Sequence, residues 1–173
     1  MPFILITSLS ALPDAMAMHR PSHVVTLLSS GYMIDTPKGF PPERHLRLSM
    51  HDIPDEGLAE SPSRAHVEQL LEFGRGWDAE APMVVHCWAG ISRSTAATYT
   101  ILCDRAGPGA EHTIAQALRQ RAPHAVPNKL IVRLADEALG RDGAMVRAID
   151  AIGMANQMTE GVPVEMPLTL VRR

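Results

Sequence analysis

Cysteine is almost missing from this chain: 173 residues hold two, Cys87 and Cys103, in no paired-ligand spacing. That scarcity excludes a disulfide framework and the familiar zinc-binding cysteine patterns. The eight histidines are scattered as well, so no metal site is expected. No apolar run is long enough to span a bilayer, and the N-terminus has no basic region ahead of a long apolar stretch. Neither a membrane partner nor a signal peptide is expected, and a reducing, cytoplasmic setting follows. Charge of one sign is lacking too. A formal net charge of -3 gives no general attraction to nucleic acid or acidic membranes, so any anion recognition must be local.

What is present is the composition of a globular domain, 46% hydrophobic and 20% charged. A length of 173 residues suits one domain with a substantial core, so residues 1–173 are read as a single unit. Short apolar runs at 3–6, 23–28, 45–49 and 83–85 predict strands, and the segment 10–18 predicts a short helix. Residues 29–44 contain Gly31, Pro37, Gly39, Pro41 and Pro42 and predict an irregular loop. A second loop at 52–61 leads to a helix with Val67, Leu70, Leu71 and Gly74 on one face, its start placed at Ser61-Pro62. Downstream, the segments 111–121, 128–139 and 145–158 have helical periodicity with no strand between them. The arginines at 119, 121, 133, 141 and 147 read as a mostly solvated face. The tail 161–173 is compatible with an edge strand, a docked segment or a disordered end. Alternation that gives way to helices predicts an α/β three-layer sandwich: a mainly parallel sheet of four or five strands, flanked by helices, with a helical C-terminal half.

The chemistry is concentrated in residues 86–94, His-Cys-Trp-Ala-Gly-Ile-Ser-Arg-Ser. A predicted strand precedes this run and a helix follows it, ending near Gly107-Pro108. A strand-to-helix turn gathers backbone N–H groups and the positive end of the helix dipole around one point, which favours an anion. Cys87 supplies a nucleophile in a setting that favours the thiolate. Arg93 supplies a planar fork that matches two oxygens of a phosphoryl group. Gly90 allows a close backbone approach and positive φ. The Ser94 hydroxyl is placed to hydrogen-bond Cys87 and to ease departure of the sulfur, and His86 is placed to brace the loop through backbone carbonyls. Taken singly, a cysteine at a strand end is usually a small buried hydrophobe and an arginine at a helix start is usually solvated. Together they are harder to dismiss: at average usage the pattern arises in a chain of this length with odds of roughly one in ten thousand or less.

The run resembles the signature loop of the cysteine-based protein tyrosine phosphatases, particularly their compact dual-specificity branch. Support comes from Arg121-Ala122-Pro123 and Pro127-Asn128, similar to the family's segment in which a Pro-Asn pair opens the next helix. The resemblance implies phosphate-monoester hydrolysis through a cysteinyl-phosphate, without metal or other cofactor. It also implies an upstream aspartate as general acid and then base. Asp52 and Asp55 both qualify: spacing to Cys87 favours Asp55, but Asp52 directly follows the strand-like run Leu46 to Met50, as the family's acid usually does, and is preferred, with Asp55 the alternative. Asn128 either caps its helix or holds the loop from outside.

Residues 88 to 93 (Trp88, Ala89, Gly90, Ile91, Ser92 and Arg93) form the expected substrate-binding loop. Its variable interior positions, Trp88, Ala89 and Ile91, carry no cation, which favours a phosphorylated protein or small aryl phosphate over a highly phosphorylated lipid or RNA end. Trp88 and Ile91 suit an apolar rim, with Tyr32 or Phe40 as a candidate wall. Cys103 reads as helix packing, with a redox partnership to Cys87 the lesser alternative. Two other function classes compete: a phosphate- or phosphoprotein-binding module with weak catalysis, and an arsenate-reducing or sulfur-transfer enzyme.

Overall fold

The structure, a computed structural model, describes residues 2–171. Strands β1 (Phe3–Ser8), β2 (His23–Leu28), β3 (His45–Ser49), β4 (Met83–Cys87) and β5 (Val164–Pro167) form one sheet in the order β3-β2-β4-β1-β5. The first four are parallel, and β5 runs antiparallel along β1. The inner strands β1, β2 and β4 are apolar along most of their length because both faces are covered. Leu5, Val24 and Val84 pack on one side with Leu12 and Ala15 of α1 (Leu12–His19). Alternate residues, among them Ile4, Ile6, Val25, Leu27, Met83 and Val85, face the larger core on the other side. That core is built by α2 (Arg64–Gly76), α3 (Arg93–Ala106), α4 (Glu111–Arg121), α5 (Lys129–Leu139) and α6 (Ala144–Asp150). The result is an α/β three-layer sandwich with a mainly parallel sheet. None of the described helices is long and apolar enough to cross a membrane.

Three sequence expectations need correction, and one open alternative is resolved. Helix α2 starts after Ser63, not at Ser61: Ser63 accepts from the His66 amide and its own amide donates to His66 Nδ1, a reciprocal cap. Ser61 instead donates to the Leu58 carbonyl. The helix expected over 145–158 ends at Asp150, where Gly153 takes φ +74° and Arg119 captures the carbonyls of Ile152 and Gly153. Arg141, read as solvated, is buried against Glu111 at 2.6 Å, with both side chains under 8% exposed. Of the three readings of the tail, the edge strand is the one observed over Val164–Pro167; the last two residues lie outside the described residues.

This topology decides where the site lies. The four parallel strands end on the same edge of the sheet, with Ser8 of β1 paired to Cys87 of β4. Ligands of open α/β sheets bind outside such carboxyl ends. Because β5 is antiparallel and begins at Val164 beside Ile6, the segment before it arrives at this edge as well.

Across the sheet, buried hydrogen bonds link Thr36 to His45 (2.9 Å), His45 to Thr26 (2.7 Å) and Thr26 to His86 (2.7 Å). Burial pushes His45 and His86 down from 6.5 to about 4, so both are neutral at neutral pH. A histidine held neutral in the fold but free to protonate in the unfolded chain lowers stability as pH falls from the unfolded to the folded value. We therefore expect the unfolding free energy, followed by urea titration, to decline between about pH 6.5 and pH 4. His45→Asn should flatten that decline; an equal slope in the variant would remove His45 from the explanation.

Candidate functional site

Cys87 ends β4 and Arg93 opens α3, so the five residues between them make the whole turn from strand to helix. Each carbonyl on the outside of that turn is held by a group beyond it. Leu9 N–H donates to Trp88 O (3.1 Å), Gly161 N–H to Ala89 O (2.8 Å), Val126 N–H to Ile91 O (3.0 Å) and Asn128 N–H to Ser92 O (3.2 Å). Thr95 Oγ1 also donates to Ile91 O and Ser92 O, at 2.6 and 2.9 Å. In a planar trans peptide the C=O and N–H point opposite ways. With these four carbonyls turned outward, the amides of Ala89, Gly90, Ser92 and Arg93 turn inward, toward the N-terminus of α3. The loop is thus an anion cradle built from backbone dipoles.

Gly90 is required here on two counts. Its φ is +70°, and a Cβ would lie 2.9 Å from Ser8 N and from the Thr7 carbonyl carbon. The end of β1 therefore supports the loop at a distance that only glycine allows. Gly161 meets a similar limit, since a Cβ there would come 2.5 Å from His124 Nε2 and 3.0 Å from Gly90 O.

Cys87 is 2% exposed and its Sγ lies 3.2 Å from Ser94 Oγ, the pairing expected from the sequence. Arg93 is 6% exposed; Nη1 donates to Met50 O at 2.8 Å, and the buried Nε has no hydrogen-bond partner among the described residues. A buried, unpartnered guanidinium N–H at the mouth of a cradle is a donor set for an anionic oxygen. His86 is braced through Nε2 by the Thr26 hydroxyl of the neighbouring strand, and a backbone hydrogen bond with Cys87 opposes the lowering of its pKa by burial.

Asp52 reaches the loop. Its Oδ1 accepts from Ser92 Oγ at 2.7 Å and from Asn128 Nδ2 at 2.8 Å. Asn128 caps α5, its Oδ1 accepting from Ile131 N–H, and holds the anion loop from outside through its own N–H on Ser92 O, while Nδ2 also donates to Ile53 O. Asp55 stands exposed on the same excursion, with no hydrogen bond to the loop among the described residues. Tyr32 packs edge-on against Trp88, ring centroids 4.9 Å apart, and both are more than half exposed, so an aromatic wall stands beside the cradle. Phe40 is not part of it; it packs against the small core under α1. Cys103 is fully buried on α3, and burial pushes its thiol up to about 12. Ile91 joins Val126, His124 and residues 155–159 around a cavity of about 490 Å³. Residues 159–161 are the part of the site that sequence reading missed. They lay beyond the helix expected over 145–158, and only the antiparallel course of β5 brings them to the loop.

The glycine requirement gives a direct test of the cradle. Gly90→Ala should lose about 2 kcal/mol or more of stability in urea unfolding. Phosphate should raise the melting temperature of the parent protein, and the variant should lose that rise. A variant that keeps both would mean that the loop tolerates another conformation.

No protein-family model and no curated protein sequence matches this chain. Solved structures do. Human DUSP28 matches at 21% identity over 82% of this chain and 94% of its own, with a TM-score of 0.59. PTPMT1 in complex with PI(5)P matches at 19% identity over 84% and 94%, also at 0.59. The Yvh1 phosphatase domain from Chaetomium thermophilum matches at 21% identity over 83% and 93%, at 0.56. The sequence resemblance and the architecture agree: this chain has the fold of the dual-specificity phosphatases.

Proposed function

We propose that this protein is a cysteine-dependent phosphatase that hydrolyses phosphate monoesters, with phosphotyrosine proteins as its leading substrates. One observation carries the reading: Cys87 Sγ, paired with Ser94 Oγ, stands at the base of a loop whose amides face inward beside the unpartnered Arg93 Nε. The reacting phosphoryl group would sit among these donors, and Arg93 would hold two of its oxygens as charge spreads in a loose transition state.

In the first step the Cys87 sulfur attacks phosphorus and the phosphorus–oxygen ester bond breaks. Asp52, in its protonated state, gives its proton to the departing oxygen. Its Oδ1 is occupied by Ser92 and Asn128, which leaves Oδ2 to face the reaction. In the second step water attacks phosphorus and loses a proton to Asp52, and the phosphorus–sulfur bond breaks. The Ser94 hydroxyl then donates to the released thiolate. Arg93 also anchors Met50 O, so the residue that binds the anion fixes the base of the loop that carries the acid.

The aryl preference rests on the Tyr32–Trp88 wall, which suits a phenyl ring beside the cradle. The lack of cations at Trp88, Ala89 and Ile91 supports a monophosphorylated substrate over a polyphosphorylated lipid. Cys87→Ser should reduce hydrolysis of para-nitrophenyl phosphate by on the order of a thousandfold or more. Asp52→Asn should reduce kcat on an aryl substrate with a poor leaving group by about a hundredfold, and Asp55→Asn should leave it near the parent value. Full activity in Cys87→Ser would refute the reading, and a selective loss in Asp55→Asn would move the acid.

A further inference from the structure

Beside the cradle lies a second cavity, of about 250 Å³, lined by Leu9, Ser10, Trp88, Ala89, Thr159 and Glu160. Two of these residues, Trp88 and Ala89, belong to the anion loop itself, so whatever occupies the cavity touches the group next to the phosphate. Its opposite wall is the segment before β5, tied to the loop by Gly161 N–H donating to Ala89 O at 2.8 Å. Glu160 is fixed there. Ser8 Oγ donates to its Oε1 at 2.6 Å and Ser10 Oγ donates to the same oxygen. Those hydrogen bonds, that from Ser10 first, hold its carboxyl below the usual carboxylate range, so it is ionised at neutral pH. Both bonds use Oε1, and Oε2 has no hydrogen bond among the described residues.

A fixed carboxylate beside a phosphate cradle is a disadvantage for binding phosphate alone, because like charges repel. The two cavities that border residues 88–91 are lined by no Lys or Arg, and their one histidine, His124, has its pKa lowered by burial and by Arg119. The disadvantage becomes selectivity if the substrate brings its own cation. Trp88 opposite Glu160 completes the requirement, since an indole face attracts Lys or Arg while the carboxylate accepts their hydrogen bonds. Building on the phosphatase reading, we infer that the cavity between Trp88 and Glu160 binds a basic side chain of the substrate protein close to its phosphoresidue, and that Glu160 is a specificity-determining residue.

Phosphotyrosine peptides identical but for one residue, set to Arg, Ala or Glu at each position from two before to two after the phosphotyrosine, provide the test. Each kcat/KM is divided by the same variant's value on para-nitrophenyl phosphate. The parent protein should favour Arg over Glu at one position by on the order of tenfold at low salt, with the ratio shrinking as salt rises. Glu160→Gln should bring the ratio close to one, and Glu160→Lys should invert it. A ratio unchanged in both variants would overturn the inference, as would a phosphoinositide monophosphate preferred to the Arg peptide. Fluorescence anisotropy with Cys87→Ser as a non-hydrolysing trap reads the same preference as binding. Absence of turnover with an intact, Glu160-dependent binding preference would therefore count against the phosphatase reading and in favour of the basic-residue pocket.

Discussion

The outward rotation of four peptide groups is the constraint on which the rest of this molecule depends. An anion loop works only if its amides point in, and isolated amides have no reason to do so. Here each outward carbonyl is captured by a different part of the chain: Leu9 after β1, Val126 and Asn128 before α5, and Gly161 before β5. A net hydrogen bond contributes only about 1 kcal/mol, but four of them acting from fixed elements select one loop conformation. The cradle is therefore a product of the whole fold, and its preorganisation means that dipoles need not reorganise when charge develops.

The same arrangement explains why the Asp52 loop and the aromatic wall stand where they do. Arg93 and Asn128 reach across to Met50, Asp52 and Ile53, so the excursion after β3 is fastened to the loop that it serves. Tyr32, on the turn after β2, meets Trp88 because β2 and β4 are neighbours that end on the same edge. One sheet edge thereby collects Cys87, the loop amides, Asp52 and the Tyr32–Trp88 pair from segments far apart in sequence.

Much of this was legible in the sequence, for identifiable reasons. The strand at 83–85, the glycine at 90 and the helix after Arg93 are local signals, readable from a short stretch of consecutive residues. Asp52 is preferred to Asp55 because it follows a strand-like run, but its hydrogen bonds with Ser92 and Asn128, 40 and 76 residues away, leave no trace in the sequence. The segment at 151–158 was misread because apolar periodicity continues past Asp150, while Gly153 and the Arg119 bonds to nearby carbonyls stop the helix. Arg141 looked solvated because its partner, Glu111, is thirty residues upstream. Long-range pairing and backbone capture carry no periodic trace, and they account for each of these misses.

The covalent intermediate is the claim that everything else serves. The most direct measurement is mass spectrometry of the protein quenched in acid during turnover of an aryl phosphate, followed by peptide mapping. A population heavier by one phosphoryl group, with the added mass on Cys87 and accumulating further in Asp52→Asn, is the predicted result. Turnover at full rate with no adduct on Cys87 in either protein, or with the phosphoryl group on another residue, would contradict it.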